Sequence, residues 1–120
     1  MTFYLHLKNM NKKLFHFDLI ERWKTLSYDE QMANIGSEVG RSINWRKKGN
    51  AEMSTNALYR ALELIDFTLA DPKHTTGLKE ITRLREILID YSIGNNIYHS
   101  SEKGWTAYFY PFNSAARRNR

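Results

Sequence analysis

The chain contains no cysteine among its 120 residues. That excludes disulfides, thiol nucleophiles and zinc sites built on thiolates, and it fits a reducing compartment. Proline occurs only twice, at Pro72 and Pro111, so few positions interrupt helical patterning. No stretch approaches the roughly 18 apolar residues of a membrane span. The opening run, residues 1–8, is too short and too interrupted for a signal peptide. The expectation is a soluble, cytoplasmic protein with no membrane partner. The sequence also carries no phosphate loop and no nucleophile elbow. His6, His16, His74 and His99 share no metal-ligand spacing, so neither a metal nor a cofactor is expected.

What is present describes an ordinary globular protein. Apolar residues make up 42% and charged residues 26%, a balance that supports a folded core. A chain of this length is most simply one domain. Aromatics reach 13%, so large rings should dominate the packing. The net charge is +5, with basic residues gathered in Lys12-Lys13, Arg46-Lys47-Lys48 and Arg117, Arg118, Arg120. Such a balance permits attraction to nucleic acid but is common in proteins that bind none.

The pattern is all-α: a small antiparallel bundle of three to four helices over residues 27–118, preceded by an N-terminal arm, residues 1–26, that is partly helical. Within the arm Phe3, Leu5 and Leu7 alternate like a strand, yet one short strand has no evident partner. A short helix is expected over residues 18–24, carrying Leu19, Ile20 and Trp23. Ser27-Tyr28-Asp29-Glu30 is a capping box that starts the first long helix. Met32, Ile35, Val39 and Ile43 then recur at helical spacing, and Gly49 offers a stop. The second helix begins at Ala51 or Thr55 and ends at Asp71-Pro72, because the residue before proline disfavours helical backbone. Its apolar arc, through Leu58, Ala61, Leu62, Ile65 and Leu69, predicts a central helix touching two neighbours. A third helix should run over residues 78–93 with Ile81, Leu84, Leu88 and Tyr91 inward. A fourth follows Ser100-Ser101-Glu102 with Trp105, Tyr108, Phe109 and Phe112, and Pro111 should kink or shorten it.

One segment of the first long helix stands out. Gly36 and Gly40 lie on one flank of it, and each interior glycine costs about 0.5–1 kcal/mol relative to alanine. Close internal packing at both is the natural reason to keep them. Nearly opposite the apolar spine lie Asn34, Glu38, Arg41 and Trp45. Glu38 and Arg41 can pair there for about 0.2–0.5 kcal/mol. An indole opposite the core requires either cover, from the aromatic C-terminal helix or the N-terminal arm, or a role as a contact surface. Arg85 sits beside the apolar face of the third helix, where it can snorkel or form a buried pair with Glu38.

Other constellations are weaker. Glu63-x-x-Asp66 resembles half of the acidic pattern of all-helical nucleotide pyrophosphohydrolases, which hold magnesium between two helices. The other half departs, because Asn34 stands where a further acid is needed. Trp45, Gly49, Ala61 and Ile65 echo one tetratricopeptide repeat, whereas a stack needs about three. No arginine is followed by histidine at the short spacing used by helical RNases of the HEPN type. Taken together, Ala33-Asn34-Ile35-Gly36-Ser37-Glu38-Val39, Trp45, Lys48-Gly49-Asn50, Arg60-Ala61-Leu62-Glu63-Leu64 and Ala70-Asp71-Pro72 resemble a short prokaryotic family of helical proteins. That resemblance implies a helical fold and brings no activity and no catalytic residues with it.

The functional expectation is therefore a non-enzymatic binding or assembly protein. Its surface would comprise Asn34, Glu38, Arg41 and Trp45, extended by Arg46 and Lys48, and it would take a protein partner or a second copy of the chain. The alternative is nucleic-acid binding through Lys47, Lys48 and residues 117–120. A magnesium-dependent hydrolase, with Glu63 and Asp66 converging on Glu38 or Asp90, is the third reading.

Overall fold

A computed structural model describes residues 19–74 and 76–118, and its regular elements are all helical. Residues 1–18, with the alternating stretch, His6 and His16, lie outside the described residues, as does Arg120. A short helix at residues 19–23 precedes four long ones. These are α1 (Tyr28–Lys47), α2 (Ala51–Ala70), α3 (Leu78–Ile93) and α4 (Glu102–Arg118).

Three of the long helices start where a side chain can satisfy an orphan amide. The Ser27 hydroxyl accepts from the Glu30 amide at 3.1 Å, and Glu30 accepts from the Ser27 amide at 2.9 Å, which completes the capping box. Asn50 Oδ1 accepts from the Met53 amide at 3.0 Å, fixing the start of α2 at Ala51. Ser101 Oγ accepts from the Gly104 amide at 3.0 Å at the head of α4. Between α1 and α2 the chain turns at Gly49, whose φ of +79° is left-handed backbone that favours glycine. Pro111 does not end α4, which continues to Arg118. The proline removes the amide that would bond the Ala107 carbonyl, but both residues lie on the solvent side, where such a loss costs least.

Packing places α1, not α2, at the centre, with α2 on one side, α4 on the other, and α3 laid on α2. Met32, Ile35, Val39 and Ile43 of α1 meet Leu58, Ala61 and Ile65 of α2, Ile81, Leu84 and Leu88 of α3, and Trp105 and Phe109 of α4. Trp23 from the short helix joins the same core. The breadth of α2's apolar arc is real, since Leu62, Leu64, Phe67 and Leu69 pack partly buried around it. What moves the centre to α1 is α4. A Cβ at Gly36 would lie 2.6 Å from Phe109 Cγ, so the ring rests directly on the α1 backbone. From that seat an aromatic seam spreads along α4. Phe109 stacks on Trp105 at 6.1 Å, and Tyr108 and Phe112 carry the contacts on to Tyr28 of α1. The Glu80 carboxylate of α3 accepts from the Tyr28 hydroxyl at 2.8 Å and from the Tyr108 hydroxyl at 3.0 Å, bracing three helices together. Gly40 behaves differently. No described residue lies within 4 Å of a Cβ placed there, so among the described residues the expected close packing holds at Gly36 and not at Gly40.

A second tie is polar and buried. Asp71, at the end of α2, is 4% exposed, and Gln31 of α1 is 0% exposed. Gln31 Nε2 donates to Asp71 Oδ2 at 3.0 Å and to the Trp23 carbonyl at 2.9 Å. Lys73 Nζ donates to Asp71 Oδ2 at 2.7 Å and the Lys73 amide to Oδ1 at 3.1 Å. Trp23 Nε1 donates to Thr68 Oγ1 at 3.0 Å, closing the cluster. Burial pushes the Asp71 carboxyl up, but the hydrogen bonds from Lys73 and Gln31 outweigh it and hold the pKa at about 2. The turn that halts α2 is thereby fastened to α1 and to the short helix.

Two outcomes follow. Gly40→Ala should raise stability by about 0.5–1 kcal/mol, because a methyl there meets no neighbour. Gly36→Ala should fall below Gly40→Ala by about 1–3 kcal/mol, since Phe109 must move; urea unfolding of the two variants measures the difference. Asp71 titrates near 4 in the unfolded chain and lower in the fold, so its contribution is present above that value and is lost as pH falls toward 2. Asp71→Asn should cost about 1–3 kcal/mol at pH 7, discounted for the exposed half of Lys73, and should flatten acid unfolding. Urea midpoints measured from pH 7 down to pH 3 test the sign.

Candidate binding surface

On a helix of 3.6 residues per turn, Asn34, Glu38, Arg41 and Trp45 share one edge of α1. The fold turns that edge outward, next to α2. Glu38 sits between two arginines: Arg41 Nη1 donates to Oε2 at 2.8 Å, and Arg60 Nε of α2 donates to Oε1 at 3.3 Å. The Glu38 side chain is only 13% exposed, whereas that of Arg41 is 60% exposed. One carboxylate thus holds the bases of two cations whose outer parts stay in solvent. Trp45 is half-buried, and Lys48 Nζ lies 5.1 Å from its ring centroid, within cation–π range. The indole does not join the core, so neither the core nor α4 covers it fully, and the other expected cover, the N-terminal arm, lies outside the described residues.

The remaining sequence candidates divide. Asn34 is exposed and donates Nδ2 to the Glu30 carbonyl of its own helix at 2.8 Å. Arg46 leaves the edge altogether. It points toward α3, with its guanidinium carbon 5.7 Å from the Tyr91 ring centroid. The surface that forms is Glu38, Arg41, Trp45 and Lys48, and Arg60 is an addition the sequence did not signal. Arg60 could have been found only by knowing the rotation of α2 against α1.

Of the two expectations for Arg85, the pair with Glu38 does not form. Arg85 instead donates Nε to Asp66 Oδ1 at 2.8 Å and Nη2 to Oδ2 at 3.4 Å. Asp66 lies on the side of α2 that faces α3, directly across from Arg85, while Glu38 stands on the outer edge of α1. The pyrophosphohydrolase arrangement does not form either. Asp66 is taken by Arg85, Glu38 by two arginines, and Asp90 accepts from the Ile97 and Tyr98 amides at 2.9 and 3.1 Å. Among the described residues no three acidic or histidine side chains converge as a metal site. Glu63 is 8% exposed and lines a cavity with Asp66 and Trp23 beside the short helix. Burial first, and repulsion from Asp66 second, push its carboxyl up to about 7.

The two basic segments lie far apart. Lys47 Nζ pairs with Glu102 at the head of α4 at 3.1 Å, so α1 and α4 run in opposite directions. Arg117 lies at the other end, beside Glu30, Asn34 and Ser37 near the start of α1. A helix of this length spans about 30 Å, which separates Lys47 and Lys48 from the C-terminal arginines. The C-terminal Arg118 donates to Ser114 Oγ at 2.9 Å.

Comparisons with known protein families, curated proteins and solved structures return no match. The likeness to a prokaryotic helical family therefore gains no support from them, and functional inference rests on geometry. No helix among the described residues is long and apolar enough to cross a membrane.

Glu63 gives this region a pH signature. Its carboxyl holds a proton more tightly in the fold than in the unfolded chain, so its contribution is fully present below about pH 4 and is lost as pH rises through 7. Glu63→Gln should gain about 2 kcal/mol relative to the parent between pH 5 and pH 8. Urea unfolding at both values checks this, and an unchanged or opposite difference contradicts it.

Proposed function

We propose that the chain is a binding protein rather than a catalyst, and that the outer edge of α1 with Arg60 of α2 receives an acidic, amphipathic segment of a protein partner. The observation carrying this reading is the half-buried Trp45 indole with Lys48 over its ring, on the same edge of α1 where Glu38 is shared between Arg41 and Arg60. Tryptophan and arginine are the residue types that most often dominate interface energetics. Trp45 supplies a broad apolar anchor, and the surrounding cations select carboxylates and steer approach. Self-pairing through the same edge is disfavoured, because a two-fold contact sets like patches against each other and would oppose cation to cation.

Nucleic-acid binding is the second reading carried from the sequence. It draws less support, because its basic segments stand at opposite ends of the bundle and build no single patch among the described residues. The hydrolase reading draws less still, since Asp66, Glu38 and Asp90 are each engaged by protein donors.

A fluorescent helical peptide alternating glutamate and leucine faces is the appropriate probe, with its glutamine-for-glutamate form as control. Anisotropy should show saturable binding of the acidic form and at least about tenfold weaker binding of the neutral one, roughly 1.4 kcal/mol. Trp45→Ala and Arg41→Glu should each weaken the acidic peptide by a similar factor while thermal unfolding stays unchanged. Equal affinity for both peptides overturns the reading, and so does loss of folding in Trp45→Ala with no separate binding defect. Preferential, salt-sensitive capture of single-stranded RNA over the acidic peptide would favour nucleic acid instead.

A further inference from the structure

Arg46, turned away from the α1 edge, belongs to a different place. It lines a solvent-open cavity of about 200 Å³ bordered by the C-terminal ends of α1 and α3 and the first turns of α2. The floor is core: Val39, Ile43, Leu58 and Leu88 are each at most 8% exposed. The walls are small and hydroxylated. Ser42 and Ser54 bond each other's backbone, Ser42 Oγ to the Ser54 carbonyl at 2.8 Å and Ser54 Oγ to the Ser42 carbonyl at 2.7 Å. That reciprocal pair holds α1 and α2 together without the bulky side chains that would fill the space. Close-packed interiors normally leave few such voids.

Two further hydroxyls, Thr55 and Ser92, line the same cavity. Ser37 and Thr68 elsewhere fold their hydroxyls back onto the carbonyl four residues earlier, at 3.2 and 3.0 Å. Thr55, which is exposed, and Ser92, which is half-buried, make no such bond, so their protons can pass from water to an acceptor in the cavity. Arg46 is the one charged side chain among the described residues lining it, and no carboxylate lines it. Its guanidinium is held over Tyr91 at 5.7 Å and makes no ion pair with a described residue. An apolar floor, hydroxyl donors and a guanidinium at the rim that meets no carboxylate among the described residues define a complement to one kind of molecule.

We propose that this cavity is a site for a small monocarboxylate with a compact apolar body. The carboxylate would meet Arg46, Thr55 and Ser92, and the body would rest on Leu58 and Leu88. The site is separate from the Trp45 surface and stands whether or not that surface binds a peptide.

Phenylacetate, its neutral isostere phenylacetamide, and inorganic phosphate are the probes, read on the ¹⁵N-labelled full chain. Phenylacetate should give saturable shifts at the Thr55 and Ser92 amides and bind at least about fivefold more tightly than phenylacetamide. Arg46→Gln should abolish that preference, and Ser92→Leu, which fills the space, should abolish binding with the fold intact. Trp45→Ala should leave the phenylacetate affinity unchanged. Equal affinity for acid and amide overturns the proposal, as does a response to phosphate as strong as that to phenylacetate. Absence of saturable shifts at Thr55 and Ser92 also overturns it.

Discussion

The contact on which the molecule most depends is a missing methyl group. Gly36 leaves room for the Phe109 ring on the backbone of α1, and a Cβ there would overlap that ring at 2.6 Å. A glycine inside a helix costs about 1 kcal/mol, whereas burying a side chain the size of Phe109 returns about 1.5–3 kcal/mol. The trade favours the fold, and it fixes the position of α4. Once α4 is seated, Trp105 stacks on Phe109, Tyr108 reaches Glu80, and α3 is braced to α1 through the same carboxylate. The polar cluster around Asp71 then fastens the turn between α2 and α3.

This arrangement assigns different work to different sides of one helix. The flank of α1 with Gly36 is buried by α4 and has a structural role. The flank with Ser42 meets α2 through small hydroxylated contacts and leaves a void at one end. Among the described residues, no helix lies over the edge with Glu38, Arg41 and Trp45. Because neighbouring helices claim the other sides, the proposed partner is placed at the outer edge. Function, on this reading, occupies the part of α1 that packing left over.

Much of the fold was legible in the sequence because helix boundaries are local chemistry. The Ser27–Glu30 box and the Asp71-Pro72 stop are set by residues within a few positions of the ends, whereas the Asn50 cap decides between the two starts of α2, Ala51 and Thr55, that the pattern leaves open. Periodicity likewise gave the inward face of each helix correctly at Met32, Ile35, Val39, Ile81, Leu84 and Leu88. What it could not give was the rotation of one helix against the next. Arg85 therefore found Asp66 rather than Glu38, and Arg60 reached Glu38 unannounced. The two glycines look alike in sequence, yet only Gly36 meets a ring, because α4 crosses α1 there and leaves space beside Gly40. Gln31 lies one turn before Ile35 on the apolar face, and that position was the available signal for the buried cluster. Its partner, Asp71, was visible only as a helix stop. Pro111 does not shorten α4, since a proline on the solvent side of a packed helix need not end it.

The three tryptophans offer the most direct test of this division, because each reports a different environment. Trp23 donates its indole N–H to Thr68, Trp105 is buried in the aromatic seam, and Trp45 stands half-exposed on the outer edge. Titration of the ¹⁵N-indole-labelled protein with the acidic amphipathic peptide should move the Trp45 resonance alone, leaving those of Trp23 and Trp105 in place. Movement of Trp23 or Trp105 with a stationary Trp45 would contradict the assignment of that edge as the binding surface.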